Sequence, residues 1–139
     1  MAKKTDAALE AALQYARDYY KDKAIVAEFE RLAKYCPEVA IGYLTLRKGA
    51  FKEPPEGALP LKYKELLAVA IECARIMPSD YHARKAVEAG ATPHEVAEVV
   101  SLNIQLGGMV TYMHSGRFAL KAAEEQAKEM VSKAKKRAK

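Results

Sequence analysis

Apolar residues recur along this chain every three or four positions, the spacing that places them on one face of an α-helix. Glycines and prolines fall between these periodic stretches, and no alternating strand pattern lasts beyond four or five residues. Because Gly and Pro are the strongest breaks in regular structure, this arrangement predicts an all-α bundle of about six to seven helices. The predicted helices span residues 5–20, 22–35, 37–48, 61–77, 79–89, 93–106 and from 109 onward.

Particular residues mark the ends of several helices. Pro37 suits the first turn of the third helix, and Gly49 is predicted to end it. Pro78 is predicted to break the fourth helix, and Gly90 suits the position that follows the fifth. The TPHE motif at residues 92–95 matches a capping box, so the sixth helix is predicted to begin there.

The length of 139 residues suffices for one hydrophobic core, and we expect a single domain over residues 1–139. Residues 50–60, AFKEPPEGALP, form the one clear loop, because two adjacent prolines and a glycine exclude a helix. Neither side of this loop is long enough for a robust domain, so the loop is interpreted as an internal connection. The domain then has an N-terminal helical extension at residues 1–21 and a basic tail at residues 132–139.

The net charge of +5 comes from the basic tail. Residues 133–139 hold five Lys or Arg side chains and no acid, whereas residues 1–132 hold 18 basic and 18 acidic side chains. A nucleic-acid-binding domain would carry its positive charge on a folded face, so we expect no nucleic-acid partner. The longest unbroken apolar run, residues 66–71, is shorter than a membrane span or a signal-peptide core. We therefore expect a cytoplasmic protein without a membrane partner.

Two cysteines are present, Cys36 and Cys73, and they form neither a CxxC motif nor a zinc-ligand pattern. Such isolated cysteines are most often small core residues. The sequence thus excludes a disulfide scaffold and predicts no metal site.

The three histidines differ in their surroundings along the chain. His94 lies in the predicted capping box and is expected to be exposed. His82 shares a face of the fifth helix with two alanines, which leave room beside the imidazole. His114 lies between apolar residues of the last helix. Each of the last two is interpreted as either a core histidine or a functional one.

The fourth helix carries two glutamates, Glu65 and Glu72, seven residues apart and therefore on one face. That face, which also holds Arg75, is equally consistent with a solvated edge and with a polar pocket between helices. A carboxylate and an imidazole in a mostly apolar pocket would make an acid–base pair. The residues alone leave open whether Glu65 and His82 meet.

A resemblance to a known family bears on whether these residues form a functional site. The stretch LPLKYKELLAVAIECARIMPSDYHARKAVEAGATPHEVAEVVS, residues 59–101, resembles the carboxymuconolactone decarboxylase family, which includes the alkylhydroperoxidase D-like proteins. The KELLAVAI helix, the histidine of HARKAVEAGAT and the TPHEVAEVV segment carry the likeness. With the upstream FERLAKYCPEVAIGYLTLRKGAF and the downstream GGMVTYMHSGRFAL, it covers residues 25–123.

This resemblance implies an all-α, alkylhydroperoxidase D-like fold whose subunits assemble into trimers or hexamers, with an active site between helices. The redox branch of the family uses CxxCxxxH and an upstream glutamate. Here His82 occupies the histidine position and Glu65 the glutamate position at a shorter spacing, while Arg75 and Pro78 stand where the two cysteines would be. The chain therefore looks more like the decarboxylase branch, which decarboxylates a lactone acid of aromatic catabolism without metal or organic cofactor.

On this basis His82 and Glu65 are the predicted catalytic residues, His82 moving a proton and Glu65 orienting its ring. The candidates for binding a small carboxylic acid substrate are chosen by residue type; they are His114, Arg75, Asn103 and Gln105. Two alternatives stay open. One is a thiol-dependent peroxidase or antioxidant protein that uses Cys73 or Cys36, and the other is a non-catalytic oligomeric binding protein on the same fold.

Overall fold

The computed structural model describes residues 2–138, with side chains described from Asp6 onward. Its helices are α1 (Ala2–Tyr20), α2 (Lys23–Tyr35), α3 (Pro37–Ala50), α4 (Leu61–Ala74), α5 (Asp80–Glu88), α6 (Pro93–Gly107), α7 (Met109–Thr111) and α8 (Arg117–Arg137). A π-helical turn, Tyr112–Gly116, joins α7 to α8 without a break, so these three segments form one continuous final helix. Residues 2–138 contain no strand, and the predicted all-α class is confirmed.

The chain divides into two compact units, one up to Lys52 and one from Glu53 onward. In the first unit α1, α2 and α3 all contact one another, and buried side chains at their contacts include Ala16, Ala40 and Leu44. Helices α2 and α3, joined through Cys36, pack against each other. The single-domain organisation stays a prediction, as do the boundaries given to the extension and the tail.

In the second unit, α4, α5, α6 and α8 surround one hydrophobic core, whose buried members are Leu66, Val69, Cys73, Ala83, Ala86, Val87, Ala91, Val96, Val100, Ala119, Ala122 and Ala123. Alanines line the facing sides of α5 and α8, and such small side chains let two helices pack closely. Gly116 serves the same purpose, because a Cβ there would come within 2.7 Å of a methyl group of Val100. Close packing of α5 is what fixes His82 beside α4.

Two of the predicted helix ends are confirmed in detail. The Thr92 side chain accepts a hydrogen bond from the Glu95 backbone N–H while Glu95 accepts one from the Thr92 N–H, which completes the capping box. Gly90 follows the end of α5 with a φ of 96°, and the Ala91 N–H donates to the Ala86 carbonyl. This is the Schellman geometry, for which glycine is the preferred residue.

Two other helix ends differ from the prediction. Helix α3 continues through Gly49 to Ala50, because a single glycine lowers helix stability without stopping the helix. Helix α4 ends at Ala74, before the predicted break at Pro78, because the chain turns at Ile76 with a φ of 55°. That turn is a second Schellman motif, with a β-branched residue at the position that glycine takes after α5.

Residues 132–137 of the basic tail belong to the final helix, whose last turn carries Lys135, Lys136 and Arg137 near the negative end of the helix dipole. Lys139 lies outside the described residues. Of the helices that the structure describes, none is both long enough and apolar enough to cross a membrane.

Candidate active site

The structure brings together the two residues that the sequence singled out as a catalytic pair. The Nδ1 atom of His82 on α5 lies 2.6 Å from the Oε2 atom of Glu65 on α4. Glu65 has no solvent exposure, and the His82 side chain keeps 14% of its surface accessible. A buried carboxylate at this distance holds a proton on Nδ1 and leaves Nε2 as the ring nitrogen that can exchange one.

A second carboxylate of α4 faces the other side of the same ring. The Oε1 atom of Glu72 lies 3.6 Å from Nε2 of His82, and the Glu72 side chain is 19% exposed. The ring of Tyr81 packs edge-on against the imidazole, with 5.0 Å between ring centroids. The imidazole thus lies between two carboxylates of α4, with Glu65 at Nδ1 and Glu72 on the side of Nε2.

A cluster of buried polar groups closes the corner between α4 and α5. The Ser115 hydroxyl lies 2.9 Å from that of Ser79 and donates to the Met77 carbonyl at 2.6 Å. It also lies 3.5 Å from the sulfur of Cys73. Cys73, Ser79 and Ser115 are all fully buried. Because Ser79 directly precedes α5, this cluster, which we call the serine corner, fixes where α5 begins relative to α4.

An ion pair ties the first turn of α4 to α6. Lys62 Nζ lies 2.9 Å from Glu95 Oε1. Hydrogen bonds from the Thr92 backbone N–H and from Lys62 lower the pKa of Glu95, and the Glu95 carboxylate in turn raises the pKa of Lys62. Since Glu65 lies one turn after Lys62, the ion pair restrains the helix segment that presents the Glu65 carboxylate.

The other predicted binding residues lie in different surroundings. His114 is exposed in the π-helical turn and lines a cavity of about 430 Å³ together with Asp80, Arg84 and Phe118. His82 and Glu65 are absent from the walls that the structure describes for this cavity. A role for His114 in substrate binding stays a prediction.

Arg75, Asn103 and Gln105 are distributed over two helices. Arg75 is exposed at the C-terminal end of α4 and Gln105 is exposed on α6. Asn103 donates to the Val99 carbonyl on its own helix and lines an apolar groove between α4 and α6. Their predicted contacts with substrate likewise stay predictions.

The two cysteines occupy contrasting positions. Both are free thiols; Cys36 is exposed and Cys73 is buried within the serine corner. A thiolate must reach its substrate to react, so burial argues against an attacking role for Cys73. In the described part of the chain no group of three or more His, Cys, Asp or Glu side chains is placed to hold a metal ion.

Glu72 and the serine corner are the parts of the site that sequence reasoning did not assign. For Glu72 a signal existed, because its spacing of seven residues from Glu65 places both on one helix face. For Ser79 and Ser115 there was none, because they lie 36 residues apart and serines are common on any helical surface. The π-helical turn that points Ser115 inward has no recognisable pattern in the sequence.

Comparison with known proteins agrees with this architecture. The model of the carboxymuconolactone decarboxylase family matches residues 37–125. A crystal structure from Burkholderia xenovorans LB400, of a protein to which carboxymuconolactone decarboxylase activity has been attributed, superposes with a TM-score of 0.78 at 30% sequence identity. The match covers 93% of this chain and 98% of that one. No protein with a curated function matches the chain.

Proposed function

The chain belongs to the carboxymuconolactone decarboxylase family, and from this premise we propose that it is a cofactor-free lyase that decarboxylates a small carboxylated lactone or keto acid. The membership confirms the resemblance found in the sequence. The observation that carries the proposal is the 2.6 Å contact between His82 and the buried Glu65. It supplies an oriented proton donor, and the cysteine positions of the redox branch are here an arginine and a proline.

The proposed reaction needs one proton delivered to carbon. The bond between the substrate carbon and its carboxylate breaks, CO₂ leaves, and the electron pair is delocalised into a carbonyl, directly in a β-keto acid or through the ring double bond in γ-carboxymuconolactone, to form an enolate. His82 then donates the Nε2 proton to the carbon of this enolate that lies α to the carbonyl. Glu65 keeps its hydrogen bond to Nδ1 throughout and so fixes the tautomer and ring orientation.

Glu72 completes the proton balance in this proposal. Its Oε1 atom lies on the Nε2 side of the ring, and the side chain is partly exposed although its Oε2 atom is buried. After each turnover, Glu72 returns a proton from water to Nε2. The two glutamates thus take different roles in the proposal. The buried Glu65 orients the imidazole, and the partly exposed Glu72 exchanges protons with it.

We further propose that the substrate carboxylate and carbonyl oxygens are bound by polar side chains selected from the predicted set of His114, Arg75, Asn103 and Gln105. A guanidinium such as Arg75 matches a carboxylate in shape and charge. Amides such as Asn103 or Gln105 can donate to a carbonyl oxygen.

We also propose that the protein is a homo-oligomer, a trimer or hexamer as the family resemblance implies. Tyr63, Leu67 and Ile71 form an exposed apolar stripe on α4 at a spacing of four residues. The stripe borders the groove of about 550 Å³ that Leu102 and Leu106 line from α6. Exposed apolar surface of this extent is uncommon on monomers and is typical of a contact between chains.

The reaction class is tested by incubating the protein with γ-carboxymuconolactone and a panel of related lactone and β-keto acids in D₂O. We expect release of CO₂ from at least one acid and a single deuterium at the carbon α to the product carbonyl, because the transferred proton derives from solvent. That carbon is the one that carried the carboxylate in a β-keto acid and the one beside the lactone carbonyl in γ-carboxymuconolactone. Release without deuterium at that carbon would contradict protonation by the pair. The absence of CO₂ release from every compound would favour the non-catalytic binding protein.

A further inference from the structure

Arg47, on α3 in the first unit, is buried to an extent unusual for a charged residue. Only 8% of its surface is exposed. Burial lowers the pKa of Arg47, but Tyr20, Tyr19 and Tyr43 together outweigh it and leave the pKa above its usual value. The guanidinium therefore carries a full positive charge inside the protein.

Three aromatic rings surround this charge. The guanidinium carbon lies 4.8 Å from the ring centroid of Tyr19, 5.2 Å from that of Tyr20 and 4.2 Å from that of Phe51. We call these three residues the aromatic cage. Cation–π contacts of this kind stabilise a buried guanidinium in part. Aromatic rings also stack favourably on other planar groups.

Among the residues that the structure describes, no carboxylate lies within ion-pair distance of this charge. Arg47 Nη2 donates to the Tyr19 hydroxyl at 3.2 Å, and the buried Nε has no acceptor among the described residues. In the same unit the more exposed Arg17 has two carboxylates, Glu10 and Glu30, within ion-pair distance. Buried charges in proteins are normally paired, and a donor left without an acceptor costs the full desolvation penalty of that group.

We propose that Arg47 and the aromatic cage form a binding site for a small planar carboxylate. The carboxylate accepts a hydrogen bond from the unpartnered Nε–H and neutralises the guanidinium, while the planar body of the ligand stacks against a ring of the cage. A fork of parallel N–H donors fits a carboxylate better than a lysine ammonium does. This binding site does not depend on the proton transfer assigned to His82. Its test measures ligand binding rather than turnover, so either proposal can fail while the other stands.

The test follows the Nε–H resonance of Arg47 in ¹⁵N-labelled full-length protein, assigned by its loss in Arg47→Lys. Benzoate is the probe, benzamide is the uncharged ligand of the same shape, and acetate is the carboxylate without a ring. We expect benzoate to move the resonance downfield, benzamide to leave it unchanged, and acetate to bind more weakly than benzoate. Arg47→Lys should weaken benzoate binding about ten- to a hundredfold, whereas Arg31→Lys on the exposed face of α2 should not.

Three results would overturn the proposal. One is a resonance that stays unchanged at saturating benzoate, which would make Arg47 a clamp between helices and no more. Another is a benzamide response equal to that of benzoate, and the third is benzoate affinity that survives in folded Arg47→Lys. If Arg47→Lys fails to fold, the Nε–H resonance is assigned through its side-chain connectivity to the Arg47 backbone, and the comparison of benzoate with benzamide on that resonance decides alone.

Discussion

Ser115 is the residue through which the corner between α4 and α5 is held. Its hydroxyl contacts the Ser79 hydroxyl and the Met77 carbonyl while fully buried. Ser115→Ala removes both bonds and leaves buried partners unsatisfied, so we expect a loss of about 1–3 kcal/mol in the free energy of unfolding. Urea denaturation measures it, with the exposed Ser132→Ala on α8 as control. Equal stability of the two variants would show that the serine corner contributes nothing.

For single residues, the sequence shows which residue types are present but not which side chains are in contact. His82 and Glu65 were identified by their resemblance to a family pattern, and their contact depends on how α4 and α5 cross. That crossing is set by the alanine-lined packing of α5 on α8, which involves residues far away in the chain. Glu72 was visible as a member of the same helix face, but only the position of the imidazole between the two carboxylates distinguishes it from a solvated residue.

At the scale of elements, α4 ends in a turn that an isoleucine disfavours. Ile76 has a φ of 55°, where a Cβ costs about 1–2 kcal/mol, whereas the equivalent turn after α5 uses Gly90. Ile76→Gly and Ile76→Ala both remove the side-chain atoms beyond Cβ. Only glycine also removes the Cβ atom that causes the strain. We expect Ile76→Gly to be more stable than Ile76→Ala by about 1 kcal/mol, after allowing for the chain entropy of glycine. Thermal denaturation compares the two, and a higher midpoint for Ile76→Ala would contradict this.

The ion pair between α4 and α6 makes stability depend on pH. The folded-state pKa of Glu95 is lowered, so its contribution is present above the pKa of an unfolded glutamate and is lost as pH falls through the lowered value. We expect Glu95→Gln to lower the melting temperature at pH 7, and the difference from wild type to shrink as the solution becomes more acidic. The exposed Glu98→Gln on the same helix is the control.

The raised pKa of Lys62 predicts a second pH dependence of stability, at alkaline pH. Its contribution is present below the pKa of an unfolded lysine and is lost as pH rises through the raised value. The Glu95→Gln difference should therefore also shrink at strongly alkaline pH. A difference that stays constant from acid to neutral pH would exclude the charge of Glu95 as its cause.

Helix positions were predictable because the signals are local. The capping box and Gly90 confirm that residues at fixed offsets determine a helix end. The end of α4 was misplaced because the tertiary structure holds Ile76 in a conformation its own preference opposes. The π-helical turn at Tyr112–Gly116 escaped prediction for the same reason, since Ser115 turns inward to reach partners on other elements.

At the scale of the whole molecule, the apolar stripe on α4 is expected to be a contact between copies of the chain. Sedimentation velocity should show a species several times heavier than the 15.3 kDa monomer. Leu67→Lys combined with Ile71→Lys places two charges in the stripe, and we expect this variant to dissociate because unpaired charges in an apolar contact are costly.

The control for this prediction is Val131→Lys on α8, a residue of similar exposure outside the stripe. It should leave the sedimentation coefficient unchanged. A monomeric wild type would contradict oligomerisation itself. Dissociation of Val131→Lys alone would place the contact on the final helix instead of α4.

In the proposed decarboxylation, the His82–Glu65 pair carries the proton. The most direct measurement is the rate of CO₂ release from γ-carboxymuconolactone by His82→Ala, beside His94→Ala as a matched loss of an exposed histidine. We expect His82→Ala to lower kcat by about 10²–10⁴-fold, the usual contribution of a positioned acid or base, with its circular dichroism and sedimentation unchanged. His94→Ala should retain the wild-type rate. Release that survives in folded His82→Ala would contradict the assignment of the proton donor.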